Sequence, residues 1–425
     1  MARKMKDSGI EWIGEIPEGW EITRLKYLAD FEPTCDTSYL TDESKITYTP
    51  MECVKNGGFE NRSALYGSLS HTLTPFQNGD IAMAKVTPCF ENGNIAIMDN
   101  LFSGFGLGSS ELFIFRPKSI FTRYFFYWLQ NKTFVARACS TMTGTGGLKR
   151  ISPSFIRNCP VHCPSTDEQT KISDYLDAKC SEIDDLLTSV HSSIEEYKKL
   201  KQAVITQAVT KGVRGEREMK DSGVEWIGEI PKEWDILNLV AHTSMLTPMR
   251  DRPENLDGPI PWIRIEDFDG KYISSSKASL GVSKETVRSM NLKIYPVGTI
   301  LCTSSCIMGK CAIVSRELVS NQRFIGIIPD QNTCENFLYY LMLSNSERMN
   351  YLATGALQAN LSRSSFEHLK VQFPSYQEQK EISDYLDTKC AEIDKLIAKK
   401  EQLVKELESY KKSLIYEVVT GKREV

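Results

Sequence analysis

Cysteines are the first residues whose type could do chemistry. Cys302, Cys306 and Cys311 could bind zinc, but they lack the paired Cys-x-x-Cys spacing of structural zinc sites, and no second cluster completes four ligands. The five histidines form no His-Glu-x-x-His pair. Twelve cysteines spread singly through the chain indicate reduced, mostly buried thiols. We therefore expect no metal site.

Two other stretches have the spacing of catalytic motifs. FSGFGLG (residues 102–108) is like the glycine-rich loop with which methyltransferases hold S-adenosylmethionine, but no Asn/Asp-Pro-Pro-Tyr/Phe motif accompanies it. EQK (residues 378–380) has the Glu-x-Lys spacing of a nuclease, but it begins a long helix and its repeat reads EQT (residues 168–170), so we interpret it as a helix cap. No GxxxxGK[ST] phosphate loop occurs. The sequence predicts neither a catalytic site nor a cofactor.

The chain contains an internal repeat. The phrase MKDSGIEWIGEIP (residues 5–17) returns as MKDSGVEWIGEIP (residues 219–231). A segment beginning PSTDEQTKISDYLD at residue 164 returns 210 residues later, at residue 374. The order of phrase, large segment and helical segment is thus repeated twice. We expect each phrase to dock the start of one large segment against the helices, through its Trp and Ile side chains.

Both helical segments have apolar residues at alternating steps of four and three, which is typical of a coiled coil. Neither contains an internal Pro or Gly, and a glycine follows Thr210 and Thr420. We predict two long helices that pack antiparallel. Lys201 and Lys411 fall at equivalent seam positions, where they either extend along the seam to water or set the register. The predicted coiled-coil and partner residues are Leu176, Ile183, Leu187, Ile194, Leu386, Ile393, Ile397 and Val404.

The two large segments share a pattern but little identity. NGDIAMAKVTPCFENGNIAIM (residues 78–98) and VGTILCTSSCIMGKCAIV (residues 297–314) both predict a Gly turn and two strands around a polar loop. An aromatic helix follows in each, and we expect its aromatic side chains to lie in the core. A polar loop and a strand leading to the long helix come next. The predicted fold class is α/β (α+β): two mixed α/β domains separated by an antiparallel two-helix coiled coil. The predicted boundaries are 1–163 for the first domain with its docking segment, 164–212 for the first helix, 213–373 for the linker and second domain, and 374–425 for the second helix.

Composition and charge limit the class of protein. With 41% apolar residues, no run long enough to span a membrane and no apolar N-terminal region, the chain is expected to be a cytoplasmic globular protein. Its net charge is −4, yet residues 21–163 carry 14 basic and 12 acidic residues, and residues 235–373 carry 14 and 13. This balance permits nucleic-acid binding by the large segments. A duplicated frame with divergent loops suits a molecule that recognises two targets.

Three sets of repeated residues together are specific: IGEIP..W (residues 13–20 and 227–234), the Gly-Asp- or Gly-Thr-led strand, and P....EQ..I..YLD...EID beginning at residues 164 and 374. With them the chain resembles, over essentially its full length, the specificity (S) subunit of Type I restriction-modification systems. The resemblance implies a non-catalytic subunit whose two target recognition domains each recognise half of a bipartite double-stranded DNA sequence. It also implies that the helices set the spacing and dock two methyltransferase (modification) subunits, with restriction (translocase-nuclease) subunits joining the full complex.

Loop residues of the two large segments are the predicted DNA contacts. Arg, Lys, Asn and Gln commonly contact base edges, and Ser, Thr and Lys contact phosphates. For any single residue, an ordinary solvated side chain is the alternative. The predicted residues are Lys85, Thr87, Asn92, Asn94, Lys149 and Arg150 in the first domain, and Arg264, Ser304, Ser305, Lys310, Gln358, Asn360 and Arg363 in the second.

A second class of function is a coiled-coil scaffold with two protein-binding end domains, which divergent polar loops fit less well. A fused methyltransferase or nuclease would require motifs that the sequence lacks. Binding of short DNA duplexes in the presence of a methyltransferase partner would separate the first two functions, and S-adenosylmethionine turnover by the chain alone would indicate the third.

Overall fold

Two units make up the structure, a computed structural model. The first unit is Met1–His191 with Gln402–Val425, and the second is Ser192–Glu401, so each holds one α/β domain and part of both long helices. No helix in the described part of the chain has the length and apolarity needed to cross a membrane. The structure describes residues 3–70, 72–145, 147–248, 252–305, 309–353 and 360–425.

The first unit contains fourteen short strands and four short α-helices within its described residues. The strands are β1 (Met5–Asp7), β2 (Glu15–Pro17), β3 (Glu21–Arg24), β4 (Ala29–Phe31), β5 (Lys45–Thr49), β6 (Val54–Lys55), β7 (Gly58–Phe59), β8 (Arg62–Leu65), β9 (Thr74–Gln77), β10 (Asp80–Ala84), β11 (Ile95–Met98), β12 (Phe105–Gly108), β13 (Leu112–Pro117) and β14 (Pro160–Cys163). The helices are α1 (Leu25–Leu28), α2 (Thr122–Trp128), α3 (Lys132–Ser140) and α4 (Pro153–Asn158).

Two four-stranded sheets form the body of the first domain. Their strand orders are β11-β10-β13-β4 and β8-β5-β12-β9. The first sheet packs against aromatic helix α2, where Phe125 and Trp128 are buried and Phe125 meets Phe115 of β13 edge-on. The predicted core role of this helix is confirmed, since apolar side chains on adjoining turns cover the sheet. Buried Asp80, bound by Arg116 through two nitrogens at 2.8 Å, closes the turn into β10.

The second unit repeats this plan with different sheet sizes. A five-stranded sheet has the order β18-β25-β22-β23-β20, and a three-stranded sheet has the order β21-β19-β24. The strands are β15 (Met219–Asp221), β16 (Glu229–Pro231), β17 (Asp235–Asn238), β18 (Thr243–Leu246), β19 (Ile260–Ile263), β20 (Tyr272–Ile273), β21 (Gly281–Val282), β22 (Ile300–Thr303), β23 (Cys311–Val314), β24 (Val319–Ser320), β25 (Phe324–Pro329) and β26 (Lys370–Phe373). The short helices are α6 (Lys284–Ser289), α7 (Glu335–Ser344), α8 (Ser346–Leu352) and α9 (Arg363–Glu367).

Two long helices, α5 (Thr166–Lys211) and α10 (Tyr376–Val419), match the predicted helical segments. Both are followed by glycines in the left-handed region, Gly212 at φ +77° and Gly421 at φ +69°, which suits a helix C-terminus. The predicted seam residues face inward. Leu176, Ile183, Ile194, Leu386, Ile393 and Val404 are buried, and Leu187 and Ile397 are half-buried.

The helices pack antiparallel inside each unit. In the first unit, Val419 at the end of α10 lies against His162, just before α5, whereas Lys411 bonds Asp184 further along α5. Lys411 Nζ donates to both Asp184 carboxylate oxygens at 2.7 Å. The second unit repeats the contact between Lys201 and Asp394, also at 2.7 Å. The seam lysines therefore bind a carboxylate on the facing helix rather than only extending to water.

One local prediction was incomplete. The polar loop before the last strand of each domain was expected to lead directly into that strand, but a short helix intervenes, α4 in the first domain and α9 in the second. Each of these helices has only one or two turns, which is too short to produce a clear 3.6-residue apolar period. The α/β fold class with its internal repeat is confirmed.

Candidate nucleic-acid interface

A tryptophan, a glutamate and an arginine fasten the docking phrase of each domain to a long helix. Trp234 Nε1 donates to Glu378 Oε2 at 3.0 Å, and Arg217 Nη1 donates to Glu378 Oε1 at 2.6 Å. The first unit repeats the set with Trp20 and Arg3 on the carboxylate of Glu168. A carboxylate in the first helical turn is also favoured by the helix dipole.

These contacts correct the interpretation of residues 168–170 and 378–380 as helix caps. The capping hydroxyls belong to the preceding serines, since Ser165 Oγ accepts from Glu168 N and Ser375 Oγ accepts from Glu378 N, both at 3.4 Å. The glutamate side chains are instead the acceptors for the docking phrases. The expected isoleucine anchors are buried, as Ile16 and Ile230 show. The tryptophans differ from expectation in part, because Trp226 within the phrase is 43% exposed and the later Trp20 and Trp234 are buried.

The glutamine and aspartate of the EQ..I..YLD motif hold the body of each domain. Gln169 Oε1 accepts from Phe121 N, and Gln379 Oε1 accepts from Cys334 N, both at 2.8 Å. Asp177 accepts the Tyr127 hydroxyl at 2.7 Å, and burial together with this bond raises the pKa of Tyr127. Tyr340 and Asp387 form the equivalent bond at 2.5 Å. The repeated motif is therefore a set of docking contacts.

Two loops that carry predicted DNA contacts meet in the first domain. Lys85 N donates to Glu111 O, and Ile151 N donates to Lys85 O, both at 3.0 Å. A β-bridge pairs Val86 with Arg150. The predicted residues Lys85, Lys149 and Arg150 thus lie in two segments that adjoin each other.

The second domain forms the same junction. Ser304 N donates to Arg323 O at 2.8 Å, and Leu361 N donates to Ser304 O at 2.9 Å. A β-bridge pairs Ser305 with Asn360. The structure therefore brings Ser304, Ser305 and Asn360 together, as it does their counterparts in the first domain.

Several other predicted DNA contacts have internal roles. Thr87 is 9% exposed, and its hydroxyl donates to Gly147 O and accepts from Lys149 N, so it ties the two loops together. Asn92 and Asn94 line an open pocket of about 670 Å³, and Asn94 O accepts from Ala84 N at 2.9 Å. Asp184 and Lys411 of the long helices form another wall of that pocket.

Arg264, Arg363 and Lys310 are the other predicted residues of the second domain that the structure describes. Arg264 follows β19 and pairs with Glu266 at 3.1 Å, and Arg363 begins α9 and pairs with Glu367 at 2.7 Å. Lys310 immediately precedes β23 and is exposed, whereas Ser305 is 6% exposed. The predicted Gln358 lies outside the described residues.

Two residues of the junction, Glu111 and Arg323, were not among the predicted DNA contacts. Arg150 binds Glu111 through Nε at 2.9 Å and Nη2 at 2.6 Å, and these bonds lower the pKa of Glu111. Arg323 is exposed at the corresponding place in the second domain. Glu111 and Arg323 immediately precede strands β13 (LFIFRP) and β25 (FIGIIP). An alignment of these two strand sequences would have identified both residues.

The stretches that could have been catalytic have structural explanations. FSGFGLG leads into β12, a strand between β5 and β9, where Gly106 lies too close to the Phe76 ring to accept a Cβ atom. Cys302 and Cys311 face each other on β22 and β23 with sulfurs 2.9 Å apart, and burial raises the pKa of the Cys302 thiol. Cys306 lies outside the described residues. Within the described residues, no group of three or more His, Cys, Asp or Glu is placed to hold a metal ion.

Comparison with known proteins identifies relatives over the whole chain. The 23% identity with the Type I restriction enzyme MjaVIII specificity subunit of Methanocaldococcus jannaschii extends over 437 residues, 96% of this chain and 93% of that protein. Identity with the EcoAI specificity subunit of Escherichia coli is 34% over 196 residues, 45% of this chain. That match spans only 33% of the EcoAI protein, about a third of its length.

Solved structures have the same fold. A chain from a study of complex assembly and conformational transition of the type I R-M system matches with a TM-score of 0.74 at 13% identity, covering 96% of this chain and 99% of that one. The HsdS subunit from Thermoanaerobacter tengcongensis matches with a TM-score of 0.50 at 14% identity, covering 96% and 98%.

A family model confirms the resemblance based on the repeated motifs. The model of the Type I restriction modification DNA specificity domain matches twice, at residues 17–196 and 235–406. The chain belongs to the Type I restriction-modification specificity family and carries two copies of its DNA specificity domain.

Proposed function

We propose that this chain is a non-catalytic subunit that recognises a bipartite double-stranded DNA target, with one half contacted by each domain. The observation that carries the proposal is the repeated junction: the same backbone contacts present Lys85, Glu111 and Arg150 in one domain and Ser304, Arg323 and Asn360 in the other. A common frame with different polar side chains suits recognition of two different base sequences. We place this activity in the cytoplasm.

The long helices are proposed to set the spacing of the half-sites and to dock two methyltransferase subunits. Exposed apolar residues on them support docking. Leu186, Leu403 and Tyr410 are 53%, 41% and 50% exposed in the first unit, and Leu200 and Leu396 are 48% and 40% exposed in the second. Apolar side chains at these seven-residue spacings can pack against further helices of a partner. Restriction subunits would join this complex.

Methylation mapping tests the proposed function. The chain is expressed in cells with its neighbouring methyltransferase, and modified bases are located by single-molecule sequencing of the DNA. We expect a split motif of two short specific parts around a fixed unspecific gap. Exchange of residues 213–373 for the matching segment of a relative should change only one of the two parts.

The scaffold function predicts the opposite result. A stable complex with the methyltransferase and no new DNA modification would favour two protein-binding end domains over DNA recognition. S-adenosylmethionine turnover by the chain alone would contradict the non-catalytic assignment.

A further inference from the structure

The two junctions can be superposed residue by residue from their hydrogen bonds. Lys85 corresponds to Ser304 because their backbone groups make the same two hydrogen bonds. The N–H of each donates to the carbonyl of the residue before the paired strand, β13 or β25. The carbonyl of each accepts from the N–H of the residue after the β-bridge. Glu111 and Arg323 correspond because each immediately precedes the equivalent strand, β13 or β25. Their N–H groups donate to side chains two residues earlier, Ser109 Oγ at 3.2 Å and Asn321 Oδ1 at 3.0 Å.

The third position is set by the β-bridge. Arg150 and Asn360 occupy the same place opposite Val86 and Ser305. Three chain positions, distant in sequence, therefore carry Lys, Glu and Arg in the first domain and Ser, Arg and Asn in the second. We call these three positions in each domain the junction triad.

The side chains of the junction triad are not needed to build it. The second domain makes the same backbone bonds without the Glu111–Arg150 ion pair. Such solvent-exposed pairs add little to folding stability. Arg323 is exposed and, within the described residues, has no acidic partner. The backbone contacts of the junction therefore do not depend on which side chains stand at these positions.

The location of the triad also suits DNA contact. Glu111 precedes the six-residue strand β13, whose other end leads to Phe121 and its bond with Gln169 on α5. A strand of six residues is roughly 20 Å long. The triad therefore lies at the end of the strand away from this docking contact, where loops are exposed.

We propose that the junction triad determines base specificity, an inference that rests on the proposed DNA-recognition function and adds Glu111 and Arg323 to the predicted contacts. Arg323 and Asn360 have the donor and acceptor sets that pair with guanine and adenine edges in the major groove. In the first domain Glu111 holds the Arg150 guanidinium in a fixed plane and offers a carboxylate that can accept from cytosine N4. The two domains thereby recognise different bases with the same backbone.

Side-chain exchange in the assembled complex tests this inference. The first domain receives the second triad as K85S/E111R/R150N, and the chain is expressed with its methyltransferase for methylation mapping. We expect altered bases in one half of the motif, with the other half unchanged. Single substitution E111Q should lower methylation of the original motif by about 5- to 150-fold, the range for loss of one good base contact.

A matched control uses an ion pair of the same kind in the same domain. Arg62 binds Glu60 through Nε and Nη2, both at 2.8 Å, outside the junction triad. R62N should leave the motif and its methylation level unchanged. Purification of each variant with the methyltransferase shows that it has folded and assembled.

The outcomes separate this inference from the function on which it rests. If the unaltered chain produces no split motif, the proposed function fails. If the unaltered chain produces one and both triad variants methylate the same bases at the same level, only the role of the triad fails. A change of motif in R62N would also overturn it, because the effect would then be unspecific.

Discussion

At the scale of single residues, His162 and Gln372 occupy equivalent positions 210 residues apart and make equivalent hydrogen bonds. His162 Nε2–H donates to Val419 O, and Gln372 Nε2 donates to Val209 O, both at 2.7 Å. Each side chain donates to a carbonyl group near the C-terminus of a long helix, where that carbonyl has no hydrogen-bond donor within its own helix. His162 is buried and stacked on Trp20, with ring centroids 5.6 Å apart.

The histidine makes stability depend on pH. Burial lowers the pKa of His162 to about 4, and nearby Lys422 acts in the same direction. In the unfolded chain the pKa of a histidine is near 6.5, so below that pH the unfolded chain binds a proton that the folded chain excludes. The free energy of unfolding therefore has its full value above pH 6.5 and decreases as pH falls towards 4. At pH 5 the loss should be about 2 kcal/mol. H162Q keeps the hydrogen bond without the titration, so urea unfolding of wild type and H162Q should diverge between pH 8 and pH 5. Parallel curves would contradict this role.

Charge burial gives a second test at the residue scale, because the repeat supplies its own control. The Glu378 side chain is 2% exposed and Arg217 is 14% exposed, whereas the Glu168 side chain is 27% exposed. E378Q leaves a mostly buried guanidinium whose one other acidic partner among the described residues is Glu233, at 3.0 Å. We expect E378Q to lower the free energy of unfolding by about 3 kcal/mol, and E168Q by clearly less. Equal losses in chemical denaturation would show that burial does not decide the cost.

At the scale of elements, the long helices have both a seam and charged contacts across it. The apolar period alone permits shifts by one heptad, since each shift again aligns apolar residues. The paired contacts Lys411–Asp184 and Lys201–Asp394 add charged contacts to the apolar seam. They therefore stabilise the alignment that the structure has.

Charge reversal tests the register contacts. K411D places two carboxylates opposite each other and should destabilise the chain by about 1–2 kcal/mol, while K411D/D184K should recover most of that loss. K405A, at an exposed position of the same helix, is the control and should melt like wild type. Thermal melting of wild type, K411D, D184K and K411D/D184K gives the coupling energy. No recovery in the double variant would mean that the ion pair itself does not set the stability.

At the scale of the whole molecule, each unit contains residues that are far apart in the chain. In the first unit Gly421 lies close to Pro17 and Trp20, so the last residues of the chain pack against its first domain. In the second unit Gly212 lies close to Arg217 and Glu378 at the corresponding place. The covalent link between the end of α5 and the second docking phrase thus has a non-covalent equivalent. That equivalent is the contact between the end of α10 and residues at the end of the first docking phrase.

Circular permutation follows from this equivalence. A chain in which residue 425 is joined through a short linker to residue 1, and which begins at exposed Gly215, keeps the contacts of both units. We expect it to be soluble and to melt within a few degrees of the original chain. Opening at buried Ile205 instead should abolish folding and serves as the control. Insoluble protein from the Gly215 permutation would contradict the interpretation.

Local patterns in the sequence were enough for the repeat, the two long helices, the aromatic core helices and the family. These depend on spacings of three, four and 210 residues, and spacing is visible in a linear chain. Only the tertiary structure showed what the motif residues contact and where the loops meet. Glu168 and Glu378 looked like helix caps, because their tryptophan partners lie more than a hundred residues away.

The junction triad shows the same limit. Its members are brought together by strand pairing and a β-bridge between distant segments, and no local pattern encodes such a contact. Thr87 has the composition of a DNA contact, but only packing shows that its hydroxyl is used internally. The sequence thus determined which elements form and that they form twice. The fold decided which polar side chains reach the surface together, because that depends on contacts between residues remote in the chain.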